Sequence, residues 1–326
     1  MADIPIIEVE NLKKSYKDVK AVDGISFEVF PGELFGFLGP NGAGKTTTIK
    51  LLTGLARATE GKLMISGIDI TKNPKKAQHM IGVVPDESNL YPELSGFDNL
   101  VFCASLYGMR KSDSQARANE LLKMFNLAEA GHRKFAGYSK GMKRKLTIAA
   151  GLIHHPQIVF LDEPTTGIDV ASARQIRQLI AELHREGITI FLTTHYIEEA
   201  ERLCQRIAFI GKGKIIRVDK TSDLLQPIKD DHIMLVTMDQ LPNGIVEMAR
   251  NEFRDYQVEP SGNDQLRILA KQPIHVSPMI EFLEGQGAEV LEALRVRPSL
   301  EEIFVKITGL ELSEMQNGNQ KKAGGL

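Results

Sequence analysis

Cysteine and sustained apolar sequence are both scarce in this 326-residue chain. Its two cysteines, Cys103 and Cys204, show neither a metal-ligand spacing nor a disulfide framework, so a reducing cytoplasm fits best. No uninterrupted apolar stretch approaches the roughly 20 residues that a membrane-spanning helix needs. The start, Met1-Ala2-Asp3-Ile4-Pro5, lacks the basic and apolar regions of a secretory signal. A strongly basic balance is missing too, and a net charge of −2 offers nothing for a nucleic-acid partner. Residues 1–225 carry about +4 and residues 226–310 about −6 by formal count, a modest asymmetry that reads as solvated faces. The length allows two domains, each with its own core.

What is present begins with Gly39-Pro40-Asn41-Gly42-Ala43-Gly44-Lys45-Thr46, which fits the phosphate-loop pattern G-x-x-x-x-G-K-[ST]. Leu34 to Leu38 reads as a buried strand before it, and Thr46 to Leu52 as a helix after it, closed by Gly54. Gly42 and Gly44 let the backbone curl so that successive N–H groups cradle phosphate oxygens. The helix N-terminus adds about half a positive charge. Lys45 is expected on the β- and γ-phosphates, with Thr47 beside it in the same nucleotide site, and the Thr46 hydroxyl on Mg²⁺.

Ile158 to Leu161, between Pro156 and Pro164, reads as a central parallel strand. Asp162 stands at its C-terminal end, where open α/β sheets place ligand-binding groups, and can hold Mg²⁺ through water. Glu163 is the better general base for an attacking water. Two ionised side chains beside a buried strand need partners, which argues against an idle surface turn.

These segments, with Tyr138-Ser139-Lys140-Gly141-Met142 and His195, resemble the nucleotide-binding subunits of ABC transporters over residues 5–225. The resemblance implies ATP as substrate, Mg²⁺ as cofactor, and an α/β cassette with a RecA-like core, an antiparallel subsheet and a helical subdomain at about 87–156. It makes Tyr16 the adenine-stacking ring, Thr165 to Asp169 the loop along the partner's site, and His195 the γ-phosphate contact. Ser139 and Gly141 would close over ATP held by a second ATPase subunit, most simply another copy of this chain. Their spelling departs from the common Leu-Ser-Gly-Gly-Gln and matches the branch serving ABC-2-type permeases. A second departure is Asp86, where a Mg²⁺-contacting glutamine is usual; it either keeps a metal-shell role or marks a lost contact.

As a transport engine this chain requires a separate integral-membrane permease, and it is expected at the cytoplasmic face of the membrane. Export is the direction the resemblance implies. The competing reading is a non-transport ABC ATPase acting on ribosomes or nucleic acid. Such relatives carry two cassettes or a long coiled coil, whereas this chain has one cassette and no sustained heptad run.

The antiparallel strands are expected at Ile6–Val9, Ile25–Phe30 and Lys62–Ser66. The parallel ones are expected at Phe35–Leu38, Gly82–Val84, Ile158–Leu161, Thr189–Leu192 and Arg206–Ile210. Phe97–Leu106 and Ser114–Phe125 are the clearest amphipathic helices. Leu90 to Leu94 reads as an exposed apolar turn, either a permease-docking surface or a local packing staple. Gly211 to Gly213 turns a hairpin into Lys214–Val218, and the cassette should end near Leu225.

Residues 226–310 follow a β-α-β-β-α-β order, a small ferredoxin-like α+β domain. Dimerisation, regulation or edge protection would each suit it. Ser299 to Glu302 forms a capping box for a last helix through Lys306, and residues 311–326 are expected to be a mobile tail.

Overall fold

The computed structural model describes residues 4–224, 232–296 and Ile303. The expected cassette end at Leu225 and the tail 311–326 lie outside the described residues. So does the closing helix of Ser299 to Lys306, apart from Ile303. Described residues up to Thr221 form one compact unit, and those from Ser222 a second.

In the first unit, β1 (Ile7–Tyr16) and β2 (Val19–Val29) pair antiparallel, with Tyr16 opposite Val19. The sequence reading caught only the second half of β2. Val22 and Ile25 are both buried, so strict alternation breaks there, and Gly24 between them takes φ 76 beside a register shift. β3 (Leu34–Leu38) leads through the phosphate loop into α1 (Lys45–Leu52). β4 (Glu60–Ile65) and β5 (Ile68–Asp69) complete an antiparallel sheet of order β2-β1-β4-β5.

After α2 (Pro74–Gln78) and β6 (Ile81–Val84) comes a helical stretch of α3 (Gly96–Leu106), α4 (Lys111–Met124) and α5 (Lys140–Gly151). Helix α4 starts before the expected Ser114. That hydroxyl donates to the Arg110 carbonyl at 2.8 Å, so the serine sits inside the first turn instead of capping it. Ser139 does cap α5, accepting from the Met142 N–H at 3.2 Å.

The chain then returns through β7 (Ile158–Asp162), α6 (Val170–Arg185), β8 (Thr189–Thr194), α7 (Ile197–Leu203), β9 (Arg206–Gly211) and β10 (Lys214–Lys220). The second sheet has order β10-β9-β3-β8-β7-β6, parallel except for β10. Every residue of β3, β7 and β8 is buried, the mark of a sheet covered on both faces. Phe27 of the antiparallel sheet stacks on Phe35, which in turn stacks on Phe191, at centroid distances of 5.6 and 5.7 Å. This aromatic seam joins the two sheets. Leu38 lies opposite Thr194 and Asp162 opposite Thr193, so strand register alone gathers three strand ends at one edge.

The second unit contains β11 (His232–Met238), a helix Ile245–Glu252, β12 (Gln257–Pro260), β13 (Gln265–Ala270), a helix Val276–Gly285 and β14 (Val290–Val296). Its strands pair antiparallel in the order β12-β13-β11-β14, the β-α-β-β-α-β succession of a ferredoxin-like fold. Met234, Val236, Ile268, Ala249, Met279 and Leu283 share its core. Strand β12 begins after Tyr256, because Tyr256 closes a turn on the Phe253 carbonyl at 2.9 Å.

Candidate active site

Two glycines of the phosphate loop are required by space. A Cβ on Gly39 would lie 2.2 Å from the Ile210 carbonyl oxygen, and one on Gly44 2.4 Å from that of Ala21. Gly44 also takes φ 109 and heads α1 without a side-chain cap, so the first-turn N–H groups are left uncapped. That is the condition for binding an anion at a helix start. Asn41, Gly42 and Thr46 are exposed, Pro40 and Thr47 half-buried, and Ala43 buried.

Lys45 is buried and held by oxygen. Its Nζ donates to the Gly39 and Pro40 carbonyls at 2.7 and 3.1 Å and pairs with Glu163 Oε1 at 3.1 Å. The other carboxylate oxygen of Glu163 accepts from His195 Nδ1 at 2.7 Å and from the Thr166 hydroxyl at 3.1 Å. Because an ionised carboxylate only accepts, Nδ1 carries the proton. Glu163 sits at φ 49, a left-handed backbone rare for this residue type, and its N–H is fixed by the Thr193 carbonyl at 3.1 Å. Burial pushes the Glu163 carboxyl up, but the His195 hydrogen bond and the Lys45 charge together outweigh it and hold it below the ordinary carboxylate value.

Asp162 is buried, with Oδ1 accepting from the Thr193 hydroxyl at 2.5 Å. Asp86 is exposed two residues past the end of β6. Burial raises its carboxyl most, and Asp162, Glu163 and Glu87 add to that against the Arg144 cation. Among the described residues no cluster of three or more His, Cys, Asp or Glu forms a metal cage. Mg²⁺ does not need one. It keeps waters and substrate phosphate oxygens and takes one or two protein ligands, a demand that the exposed Thr46 hydroxyl and the Asp162 and Asp86 carboxylates meet by their chemistry.

Strand register thus brings together Lys45, Asp162, Glu163 and His195. The remaining expected residues have local partners instead. Tyr16 ends β1, half-exposed, with Lys14 Nζ 4.8 Å from its ring centre. Asp169 caps α6, accepting from the Ser172 N–H at 2.9 Å, and that backbone bond holds its carboxyl low. Gly141 is bare because α6 lies against it: a Cβ there would be 2.2 Å from Ser172 Oγ. The turn at Leu90 to Leu94 differs from expectation, since Leu90 is buried and Tyr91, packed edge-on to Phe102 at 5.1 Å, is the exposed apolar residue.

Sequence reasoning missed Thr166 and Thr193, whose hydroxyls position the two acids. It also missed Arg144, a buried cation on the apolar Arg144-Ile148-Leu152 stripe of α5. That stripe, with charge at i and apolar residues at i+4 and i+8, was the available signal.

Residues 22–166, which span the phosphate loop, Asp86, Ser139 and Glu163, match the family described as ABC transporter. The linearmycin resistance ATP-binding protein LnrL of Bacillus subtilis (strain 168) is 35% identical over 317 residues, covering 95% of this chain and 100% of that protein. The doxorubicin resistance ATP-binding protein DrrA of Mycobacterium tuberculosis is 36% identical over 308 residues, 93% of each chain. Among solved structures, the dimeric post-hydrolysis state of the cassette MJ0796 bound to ADP and Pi superposes with a TM-score of 0.62. It is 28% identical and covers 66% of this chain and 98% of that one.

Proposed function

The chain belongs to the ABC transporter family of ATP-binding proteins, and on that premise we propose that it hydrolyses ATP to drive export through a separate membrane permease. The observation that carries this is the Lys45–Glu163–His195 group at the ends of β3, β7 and β8. Relatives named for linearmycin resistance, doxorubicin resistance and Nod factor export support the exporter assignment. No helix of the described residues is long and apolar enough to cross a membrane. The permease is therefore a partner chain, and this subunit works at the cytoplasmic face.

ATP phosphates lie on the uncapped start of α1, with adenine against Tyr16. Lys45 turns from Glu163 to the phosphates, which lifts the Glu163 carboxyl from its depressed value and leaves it free to take a proton from water. His195 and Thr166 keep Glu163 aimed while this happens. Thr46 and Asp162, with Asp86, would hold Mg²⁺, which would supply charge stabilisation for the phosphoryl group.

A second copy of this chain closes the site, presenting Ser139 and the α5 N-terminus to the γ-phosphate. Dimeric MJ0796 supports that arrangement.

Glu163→Gln with ATP tests the reading: a stable pair of protomers should accumulate while turnover falls on the order of 10³-fold. Lys45→Ala should bind no ATP. Wild-type turnover in Glu163→Gln, or a chain that stays single under ATP, would overturn the mechanism.

A further inference from the structure

Arg144 has no role in the chemistry above, yet its side chain bonds both strand ends that lead to the site's acids. The residue is 6% exposed. Nε donates to the Pro164 carbonyl at 2.9 Å and Nη2 to the Asp162 carbonyl at 2.6 Å. Nη1 donates to the Asp86 carbonyl at 3.0 Å and also to that of Pro85. Four of the five donors of a rigid, planar fork are thus spent on backbone at two strand ends. One end is β6, leading to Asp86. The other is β7, leading to Glu163 and the loop that ends at Asp169.

The fork stands on α5, five residues after Ser139, about 7.5 Å along the same helix axis. Its neighbours are engaged elsewhere. Lys145 Nζ donates to Gln175 of α6 at 2.7 Å, and Lys143 lies over the Phe135 ring at 5.6 Å. From the opposite side, buried Glu199 of α7 accepts from the Thr165 hydroxyl at 2.8 Å. The Pro164–Thr165 step is therefore pinned between α5 and α7.

We propose that Arg144 is a positioning residue that couples the Ser139 end of α5 to the hydrolytic strand ends of its own protomer. When Ser139 engages nucleotide held by the partner, α5 moves as a rigid rod, and the fork carries that displacement to the carbonyls beside Asp86 and Glu163. Each protomer's grip on its partner's ATP then sets the alignment of its own base, so the two sites of the pair fire together. This rests on the two-protomer reading above.

Arg144→Lys separates the coupling from bulk and charge, because an ammonium keeps the cation but cannot span four carbonyls. Without nucleotide, amide hydrogen exchange at Asp86, Glu87, Asp162, Glu163, Thr165 and Thr166 should rise at least tenfold, while β1, β2 and the second unit stay unchanged. The ATP dissociation constant should stay within about twofold of wild type, while kcat falls about a hundredfold. The Hill coefficient for ATP hydrolysis should drop toward 1.

In a Glu163→Gln background, Arg144→Lys should still pair under ATP. Unchanged exchange at both strand ends, or wild-type kcat and cooperativity, would overturn the proposal. A parent Glu163→Gln that never pairs would instead defeat the two-protomer reading, and the nucleotide-free exchange would still decide whether Arg144 holds the two strand ends.

Discussion

Glu163→Gln should tighten nucleotide binding as well as stop hydrolysis, and the tightening is the sharper test of the geometry. Lys45 is bound to Glu163 at 3.1 Å with both side chains less than a tenth exposed. At an effective dielectric of 20, two unit charges that close attract by about 5 kcal/mol. Desolvation offsets much of this, leaving a net cost of roughly 2 kcal/mol to turn Lys45 toward phosphate. Glutamine keeps the shape of the side chain, retains one acceptor oxygen for His195 and Thr166, and removes the charge that holds Lys45, so that cost vanishes and affinity should rise about thirtyfold. ADP is the proper ligand, since it reaches Lys45 through its β-phosphate but carries no γ-phosphate to be repelled by Glu163. Calorimetric titration with ADP in the absence of divalent metal reads the effect directly. Equal dissociation constants for wild type and Glu163→Gln would refute the idea that the base restrains the lysine.

Three further outcomes follow from residues around the site. His154 stacks on Tyr107 at 3.6 Å, and burial lowers its pKa to about 4 despite the Ile81 carbonyl at 3.0 Å. Unfolded, it titrates near 6.5, so stability should fall as pH drops from 6.5 to 4, by at most about 3 kcal/mol and less for a partly exposed ring. Denaturant titrations at pH 7 and 5 should show His154→Gln losing part of that slope; an unchanged slope would contradict it. Gly141→Ala should cost about 1–3 kcal/mol by forcing a methyl onto Ser172, and Ser172→Gly should return most of it. A melting series on the two single variants and the double variant checks this, and strict additivity would sink it. Folded-state Glu163 has a depressed pKa, so its contribution to stability is present above the unfolded carboxylate value and lost as pH falls through the folded one. Glu163→Gln should flatten acid unfolding below about pH 4.5, measurable by the same titrations.

Legibility tracked how local the determinants were. The phosphate loop, Asp162-Glu163 and the strand before His195 each announce themselves within about ten residues, and parallel register then gathers them. The second unit was also legible, because its strands alternate and turn residues bound them; the expected β-α-β-β-α-β order is the one observed from β11 to β14. The first half of β2 was not, since the Gly24 bulge destroys period-two burial. The helix start at Lys111 was obscured by a serine that looks like a cap and bonds backward instead. Arg144 left only the faint mark of a charge on an apolar helix stripe: its partners are carbonyls 18 to 59 residues away, and carbonyls leave no trace in side-chain identity. The roles of Gly141 and Asp169 in joining and capping α5 and α6 were hidden behind their motif positions.

The left-handed backbone at Glu163 has a consequence for how the subunit fails when warmed. A carboxylate residue at φ 49 stores on the order of 1 kcal/mol and stays there only while Thr193 on the adjoining strand grips its amide. That grip sits at the C-terminal end of a pair of strands, and local opening at strand ends precedes collapse of a sheet. Heat inactivation should therefore begin several degrees below the calorimetric melting point, with the nucleotide still bound and the acid merely misaimed.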